Sequence, residues 1–169
     1  MRVVLRPVRD ADGSFLLSLY ASTRADELAS VPWSAEQKAA FVAQQFAAQT
    51  AHYAKHYAGM SADVILVDDE PAGRLLVARW ANEIRILDIS ILPEFRGRGA
   101  GGVLLRRLLD EATAAGKRVT IHVERGNRAL GLYERLGFRP VGEHGVYLRM
   151  EWGPASRDTT TRSRAAHHG

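Results

Sequence analysis

The spacing of hydrophobic and polar residues along the chain predicts several short strands. Strand patterns occur at residues 3–8, 62–69, 72–80, 83–91, 118–124 and, as a closing strand or hairpin, 139–152. The run at 83–91 is densely apolar, which predicts a central strand buried on both faces. Asp69, Glu70 and Pro71 separate two alternating runs and predict the turn of a hairpin.

Two helices are predicted between the first and second strands. The periodicity of residues 15–23 predicts a short helix. Ser34 followed by Gln37 has the pattern of a capping box, which predicts a second helix running to about Tyr57. One face of that helix mixes apolar and polar side chains, namely Val42, Phe46, Gln49, Tyr53 and Tyr57.

A glycine-rich turn, RGRGAGG at residues 96–102, separates the apolar strand from a helix predicted over 101–115. Its glycines leave backbone N–H groups unshielded where the helix begins, and a helix N-terminus favours an anion. Arg96 and Arg98 add positive charge. The pattern predicts a bound phosphorylated cofactor, and the strand that follows at 118–124 predicts a right-handed parallel crossover.

Two known nucleotide-binding motifs are also glycine-rich. Gly97, Gly99 and Gly102 fit G-x-G-x-x-G, and Glu124 lies about where a ribose-binding acid would be expected. A dinucleotide-binding fold needs several further strand–helix units, whereas one short helix over 127–138 and a closing hairpin remain. A Walker loop is excluded because no Gly-Lys-Ser/Thr follows the glycines.

Composition narrows the class of protein. At 169 residues, 46% hydrophobic and 25% charged, the chain suits one globular domain, predicted over residues 1–152. The net charge is +4, but the tail at 153–169 holds three arginines and one aspartate. The positive and negative charges of the preceding residues therefore nearly cancel. We therefore expect no nucleic-acid partner. The tail lacks apolar periodicity and is predicted to be disordered.

Compartment and chemistry follow from what the sequence lacks. No apolar run approaches the roughly 20 residues of a membrane span, and the N-terminus has no signal-peptide centre, so a cytoplasmic protein without a membrane partner is expected. The chain has no cysteine, which excludes disulfides and a covalent thiol intermediate. No metal site is expected. A small domain with two exposed sheet edges often dimerises, so a homodimer stays an alternative to a monomer.

Two motifs stand in order within residues 83–142: Arg96, Gly99 and Gly101 fit Gln/Arg-x-x-Gly-x-Gly/Ala, and LYERLGF lies at 132–138. They resemble the signature and a later element of the Gcn5-related N-acetyltransferase (GNAT) superfamily. The resemblance implies an α/β fold of the α+β type, with a mixed, mostly antiparallel central sheet, a splayed parallel strand pair and flanking helices. It also implies acetyl-CoA as cofactor and an acetyl group transferred to a primary amine, of a small molecule or a peptide N-terminus, in a ternary complex.

The resemblance further implies roles for individual residues. The glycine turn would hold the pyrophosphate, and backbone groups of the preceding strand would hold the thioester carbonyl. Tyr133 matches the tyrosine that commonly protonates the departing thiolate, and Asn127 matches an asparagine that contacts the cofactor. The implied cofactor-binding residues are Ile89, Ser90, Ile91, Arg96, Gly97, Arg98, Gly99, Ala100, Gly101, Gly102, Asn127 and Tyr133.

The general base is less defined. Some relatives carry a glutamate early in the central strand, where this chain has Arg85, which cannot accept a proton at neutral pH. Another family position for the base corresponds to His122, whose imidazole can accept a proton from an ammonium or a bridging water. Glu124 and Asp88 rank behind it, and direct attack by a neutral amine is a further alternative.

The acceptor site is predicted from the early helices, with Trp33, Gln37 and Phe41 as candidates beside Asp88 and Glu124. A mixed aromatic and amide surface suits a small amine. Two other classes remain open at this point, a non-catalytic acyl-CoA-binding or regulatory module of the same fold and, less favoured, a nucleic-acid-binding protein.

Overall fold

The computed structural model describes residues 1–153. Its strands are β1 (Val3–Pro7), β2 (Ser61–Val67), β3 (Glu70–Arg79), β4 (Glu83–Ile91), β5 (Arg118–Glu124), β6 (Arg139–His144) and β7 (Tyr147–Trp152). Its α-helices are α1 (Gly13–Ala29), α2 (Ala35–His56), α3 (Ala100–Ala115) and α4 (Leu130–Arg135). The predicted disorder of the tail concerns residues 154–169 almost entirely, and these lie outside the described residues.

The strands form one sheet in the order β1-β2-β3-β4-β5-β7-β6. Strands β4 and β5 are parallel, whereas β1–β2, β5–β7 and β6–β7 are antiparallel. The parallel register joins Glu83–Ile86 to residues 118–121, while β4 continues to Ile91 and β5 to Glu124. The predicted mixed, mostly antiparallel sheet with a splayed parallel pair is confirmed.

The described residues divide into two compact units, one formed by residues 1–76 and 88–100 and the other by 77–87 and 101–153. In the first unit, helices α1 and α2 pack through the buried side chains of Tyr20, Leu28 and Val42. In the second unit, the apolar core includes Val119, Ile121 and Val123 of β5 and Met150 of β7, and the polar residues Thr120 and Glu151 are also buried.

Local sequence signals place α2 correctly. The Gln37 N–H donates to Ser34 Oγ at 3.1 Å and the Ser34 N–H donates to Gln37 Oε1 at 2.9 Å, so the predicted capping box is present. The helix ends at His56, with Tyr57 as its C-cap. The short helix predicted over 15–23 is wrong in length, because α1 continues to Ala29 and buries Leu28 against α2.

The hairpin between β2 and β3 turns one residue earlier than predicted. Asp68 and Asp69 have φ values of 48° and 69°, and Glu70 and Pro71 already belong to β3. A two-residue hairpin turn of this type needs positive φ at both central positions, which aspartate tolerates and proline cannot adopt. Burial on both faces holds for the first half of β4, since its residues from Leu87 onward are only half-buried.

Candidate functional site

The glycine turn before α3 lies at the end of the first unit. A short 3₁₀ turn, Pro93–Phe95, follows β4, and Gly97 and Gly99 then adopt φ values of 76° and 89°. A Cβ added at either glycine would meet no atom of residues 1–153 within 4 Å. The glycines are therefore needed for the path of the backbone, and the space around them is open.

This turn fits a pyrophosphate. The first N–H groups of α3 have no acceptor within the helix, and the helix dipole places partial positive charge at its start. Ala100 at that start is buried, with 2% of its surface exposed, so the helix end is fixed while the preceding backbone stays open. A phosphate oxygen can approach such backbone donors without displacing a side chain.

The two arginines of the turn have different environments. Arg96 Nε donates to the Ile91 carbonyl at 2.9 Å, which ties the turn back to the end of β4. The Arg98 guanidinium lies 5.2 Å from the centre of the Phe95 ring and is exposed. Arg96 therefore shapes the turn, and Arg98 presents a positive charge to an approaching anion.

The end of β4 has one peptide group in a distinctive position. The Ser90 carbonyl oxygen lies against Gly73 of β3, in the space where a Gly73 side chain would be. The Leu92 N–H donates to the Ala72 carbonyl at 2.8 Å, which holds this part of β4 against β3. Because the C=O and N–H of a trans peptide point in opposite directions, the Ile91 N–H points away from Gly73.

Asp88 is held in a half-buried polar cluster of the first unit. Its carboxylate accepts hydrogen bonds from Arg74 Nη2 at 2.9 Å and from Ser90 Oγ at 2.8 Å. Arg74 is only 8% exposed, donates to Gln49 Oε1 at 3.0 Å and lies over the Phe46 ring. A carboxylate paired in this way is already charge-compensated, which makes Asp88 a weaker candidate for the base than His122.

Arg74, Gly73 and Arg149 were missed by the sequence interpretation. A signal existed for Arg74, since a lone charge inside the apolar run of β3 must have a partner if it is buried. The roles of Gly73 and Arg149 depend on strand register, which the pattern of residues does not determine.

In the second unit, His122 and Glu124 are exposed near the end of β5, on the same face as the buried Thr120. Their neighbours Ile121 and Val123 are buried, and the register pairs His122 with Arg149 and Glu124 with Tyr147. Partial burial, followed by the positive charges of Arg85 and Arg149, lowers the pKa of His122 below its usual value of about 6.5. The imidazole is therefore neutral at pH 7 and able to accept a proton.

Arg85, where the resemblance implies a glutamate in some relatives, is paired with neighbouring side chains. Its Nε donates to Glu83 Oε2 at 3.0 Å and to Thr120 Oγ1 at 3.2 Å, and its guanidinium lies 4.9 Å from the centre of the Trp80 ring. Burial opposes ionisation of Glu83, but hydrogen bonds from Thr120, Arg118 and Arg85 outweigh it and lower the Glu83 pKa. Neither member of this pair suits a general base.

Tyr133 and Asn127 lie around α4. Tyr133 is 3% exposed and packs edge-on against Phe138, with ring centres 5.7 Å apart. Asn127 Oδ1 accepts the Ala129 N–H at 2.8 Å, so the side chain organises the turn that leads into α4. The catalytic role of Tyr133 and the cofactor contact of Asn127 stay predictions.

The predicted acceptor residues of α2 and the preceding turn differ in accessibility. Trp33 is 43% exposed and packs edge-on against Phe41, with ring centres 5.3 Å apart. Phe41 packs on the core between α1 and α2. The side-chain carbonyl oxygen of Gln37 is used in the capping box. Since Phe41 is half-buried, Trp33 offers the most accessible apolar surface of the three.

Within residues 1–153, the structure contains no group of three or more His, Asp or Glu side chains placed to hold a metal ion. No helix in the same range is long and apolar enough to cross a membrane.

Comparison with known families identifies the class. The model of the acetyltransferase (GNAT) family matches residues 20–138. This chain belongs to that family, as its motifs predicted, which excludes the dinucleotide-binding alternative. Family membership also supports acetyl-CoA as the cosubstrate, as expected from the sequence.

Solved structures share the fold. The PaiA N-acetyltransferase of Thermoplasma acidophilum in complex with coenzyme A matches with a TM-score of 0.68 at 17% identity, over 89% of this chain and 98% of that one. Spermidine N-acetyltransferase of Vibrio cholerae, in complex with CoA and spermine, matches with a TM-score of 0.59 at 20% identity, over 89% of this chain and 94% of that one. Arabidopsis thaliana Naa50, in complex with the bisubstrate analogue CoA-Ac-MVNAL, matches with a TM-score of 0.58 at 18% identity, over 90% of this chain and 99% of that one.

Proposed function

We propose that this protein is an acetyl-CoA-dependent N-acetyltransferase that acetylates a primary amine by direct attack in a ternary complex. The observation that carries this proposal is the open backbone at Gly97 and Gly99, immediately before α3, in a chain of the acetyltransferase family. The absence of cysteine removes a thiol acetyl-enzyme, which favours direct attack.

The turn and the end of β4 bind and orient the donor. Backbone N–H groups from Gly97 to Gly102 hold the pyrophosphate, and Arg98 adds charge complementarity. Acetyl-CoA supplies the activated acyl group as a thioester. The Ile91 N–H, directed away from Gly73, is the donor that we assign to the oxyanion that develops on the thioester carbonyl.

Proton transfer is assigned to two residues of the second unit. His122, neutral at pH 7, accepts a proton from the acceptor ammonium, directly or through water. Tyr133 donates a proton to the departing thiolate, and its packing against Phe138 fixes the ring. If the amine arrives already neutral, His122 is dispensable and only Tyr133 is required.

The acceptor is a primary amine of a small molecule or of a peptide N-terminus. The Vibrio cholerae neighbour binds spermine, and the Arabidopsis neighbour binds an analogue that carries a peptide, so this fold accommodates both classes. The exposed polar side chains of β5 are the surface that we assign to the acceptor, and the role of Trp33 stays a prediction from the sequence.

Release of free thiol from acetyl-CoA, measured with a panel of amines and N-terminal peptides, tests this function. We expect acceptor-dependent release, with kcat reduced about 100-fold in Tyr133→Phe. Tyr57→Phe, at the end of α2, is the matched control and should retain the wild-type rate. Acetyl-CoA binding without release for any acceptor would favour the alternative, a non-catalytic module of the same fold.

A further inference from the structure

Four side chains form one exposed patch on the sheet of the second unit. We define the β5–β7 patch as His122 and Glu124 of β5 with their cross-strand partners Arg149 and Tyr147 of β7. All four residues are exposed, whereas the alternating residues of the same strands face the core. Directly opposed residues of an antiparallel pair have Cβ atoms roughly 5 Å apart, so the four side chains share one small surface.

Arg149 is the cation of this patch with capacity for a new partner. Its side chain is 48% exposed, and its ion pair with Glu151 is long, at 3.9 Å. The neighbouring Arg85 is different, because Glu83 and Thr120 already use its donors. Arg118 likewise donates to Glu83 at 3.0 Å. A guanidinium with unused donors offers two parallel N–H groups, which match the two oxygens of a carboxylate.

Glu124 places the opposite charge on the same surface. It is exposed and lies two residues from His122 along β5, which corresponds to roughly 6.6 Å between their Cα atoms. Its carboxylate attracts an ammonium group, and His122 beside it can accept the proton that the ammonium must lose. The patch therefore presents a cation directly across from a neutral base, with an anion two residues further along β5.

We infer that the acceptor is a small aminocarboxylate, with its carboxylate on the Arg149 guanidinium and its ammonium at Glu124 and His122. This inference rests on the proposed function and names the class of its acceptor. A second cationic group in place of the carboxylate, as in a polyamine, would meet the Arg149 guanidinium and be repelled. A peptide N-terminus carries an amide where an amino acid carries its carboxylate, so it offers Arg149 a weaker partner.

The protons and the electron pair of the acetyl transfer can be followed through these groups. The ammonium loses two protons, and His122 takes the first before attack and passes it to solvent. The amine nitrogen then forms a bond to the acetyl carbon, and the C–S bond breaks with its electron pair on sulfur. Tyr133 donates its proton to the departing thiolate and regains one from the nitrogen, which thereby loses its second proton, so that the products are the N-acetyl aminocarboxylate, free CoA and the one proton passed to solvent.

Paired acceptors test the inference. Each L-amino acid of an aliphatic, aromatic, acidic and basic panel is compared with the amine that remains when its α-carboxylate is removed. We expect at least one amino acid to have a kcat/KM about tenfold or more above that of its matched amine. In Arg149→Gln this ratio should fall towards one, mainly through a higher KM for the amino acid, and Arg149→Lys should recover part of it.

Arg107→Gln on α3 is the control for loss of an exposed arginine and should leave the ratio unchanged. An unchanged rise in unfolding temperature with acetyl-CoA shows that Arg149→Gln is folded and binds the donor. Matched amines or N-terminal peptides acetylated as well as every amino acid, or an Arg149→Gln ratio equal to wild type, would overturn the inference alone. Failure of all acceptors together with failure to bind acetyl-CoA would overturn the proposed function as well.

Discussion

The carbonyl oxygen of Ser90 in β4 occupies the space that a side chain on Gly73 in β3 would fill. This contact fixes the orientation of one peptide group and, with it, the direction of the Ile91 N–H. The residue type at position 73 therefore controls a backbone donor on a different strand. A glycine is required there for close approach of two strands, although its φ is ordinary.

Gly73→Ala should displace the Ser90 peptide and weaken both stability and acetyl transfer. We expect a loss of about 1–3 kcal/mol in the free energy of unfolding, because the added methyl group must move backbone. Denaturant unfolding and thiol release measure the two effects. Gly13→Ala, in the first turn of α1 with open space around it, is the control and should leave both nearly unchanged. Wild-type behaviour of Gly73→Ala would contradict the placement of this peptide.

Gly99→Ala should separate the backbone role of the turn from its binding role. An L side chain at a left-handed φ costs about 1–2 kcal/mol. Gly59 has a φ of 85° and, like Gly99, open space where a Cβ would lie, so Gly59→Ala carries the same strain. Both variants should lose similar stability, but only Gly99→Ala should weaken acetyl-CoA binding in a calorimetric titration. Equal affinity in the two variants would argue against a pyrophosphate at the turn.

The pH dependence of kcat/KM should follow the protonation of the His122 imidazole. Because its pKa lies below the usual 6.5, the base is active at neutral pH, and activity should fall as the pH drops through that lowered value. His122→Gln should remove this acidic limb and lower the rate. Arg149→Gln removes one of the positive charges that lower the His122 pKa, so the limb should move to higher pH. If the acidic limb of the profile is the same in His122→Gln, the general base is a different residue.

The ion pair of Arg74 with Asp88 should matter for stability. Removing the guanidinium leaves a half-buried carboxylate without its partner, and we expect Arg74→Met to lose about 3 kcal/mol in the free energy of unfolding. Adding Asp88→Asn should restore part of that loss, since the uncompensated charge is gone. A double-mutant cycle in denaturant measures the coupling. Strictly additive losses would mean that the pair contributes nothing as a pair.

Features set by neighbouring residues were predicted well from the sequence. The capping box of α2 depends on Ser34 and Gln37, three positions apart, and the turn before α3 depends on consecutive glycines. In both cases the conformation follows from local hydrogen bonding or from steric freedom. The family motifs lie in the same local segments, which explains why the fold could be inferred from them.

The polar contacts between strands were not predicted, because they depend on register. Arg74 meets Asp88 across a hairpin, and Arg149 meets His122 across the β5–β7 pair. A shift of one residue in either pairing would send the side chains to opposite faces. The register also changes between Pro140 and Gly142, where β6 departs from regular pairing with β7. No periodicity in the sequence indicates such a shift.

The most direct test of the account is the unfolding temperature of the full chain with acetyl-CoA or CoA, compared with NAD and a short DNA duplex. A ligand selective for the folded state stabilises it by about 2.7 kcal/mol at a hundredfold excess over its dissociation constant. We predict a clear upward shift with acetyl-CoA and with CoA, and none with NAD or the duplex. No shift with either coenzyme would contradict the assignment of this chain as an acetyl-CoA-dependent enzyme.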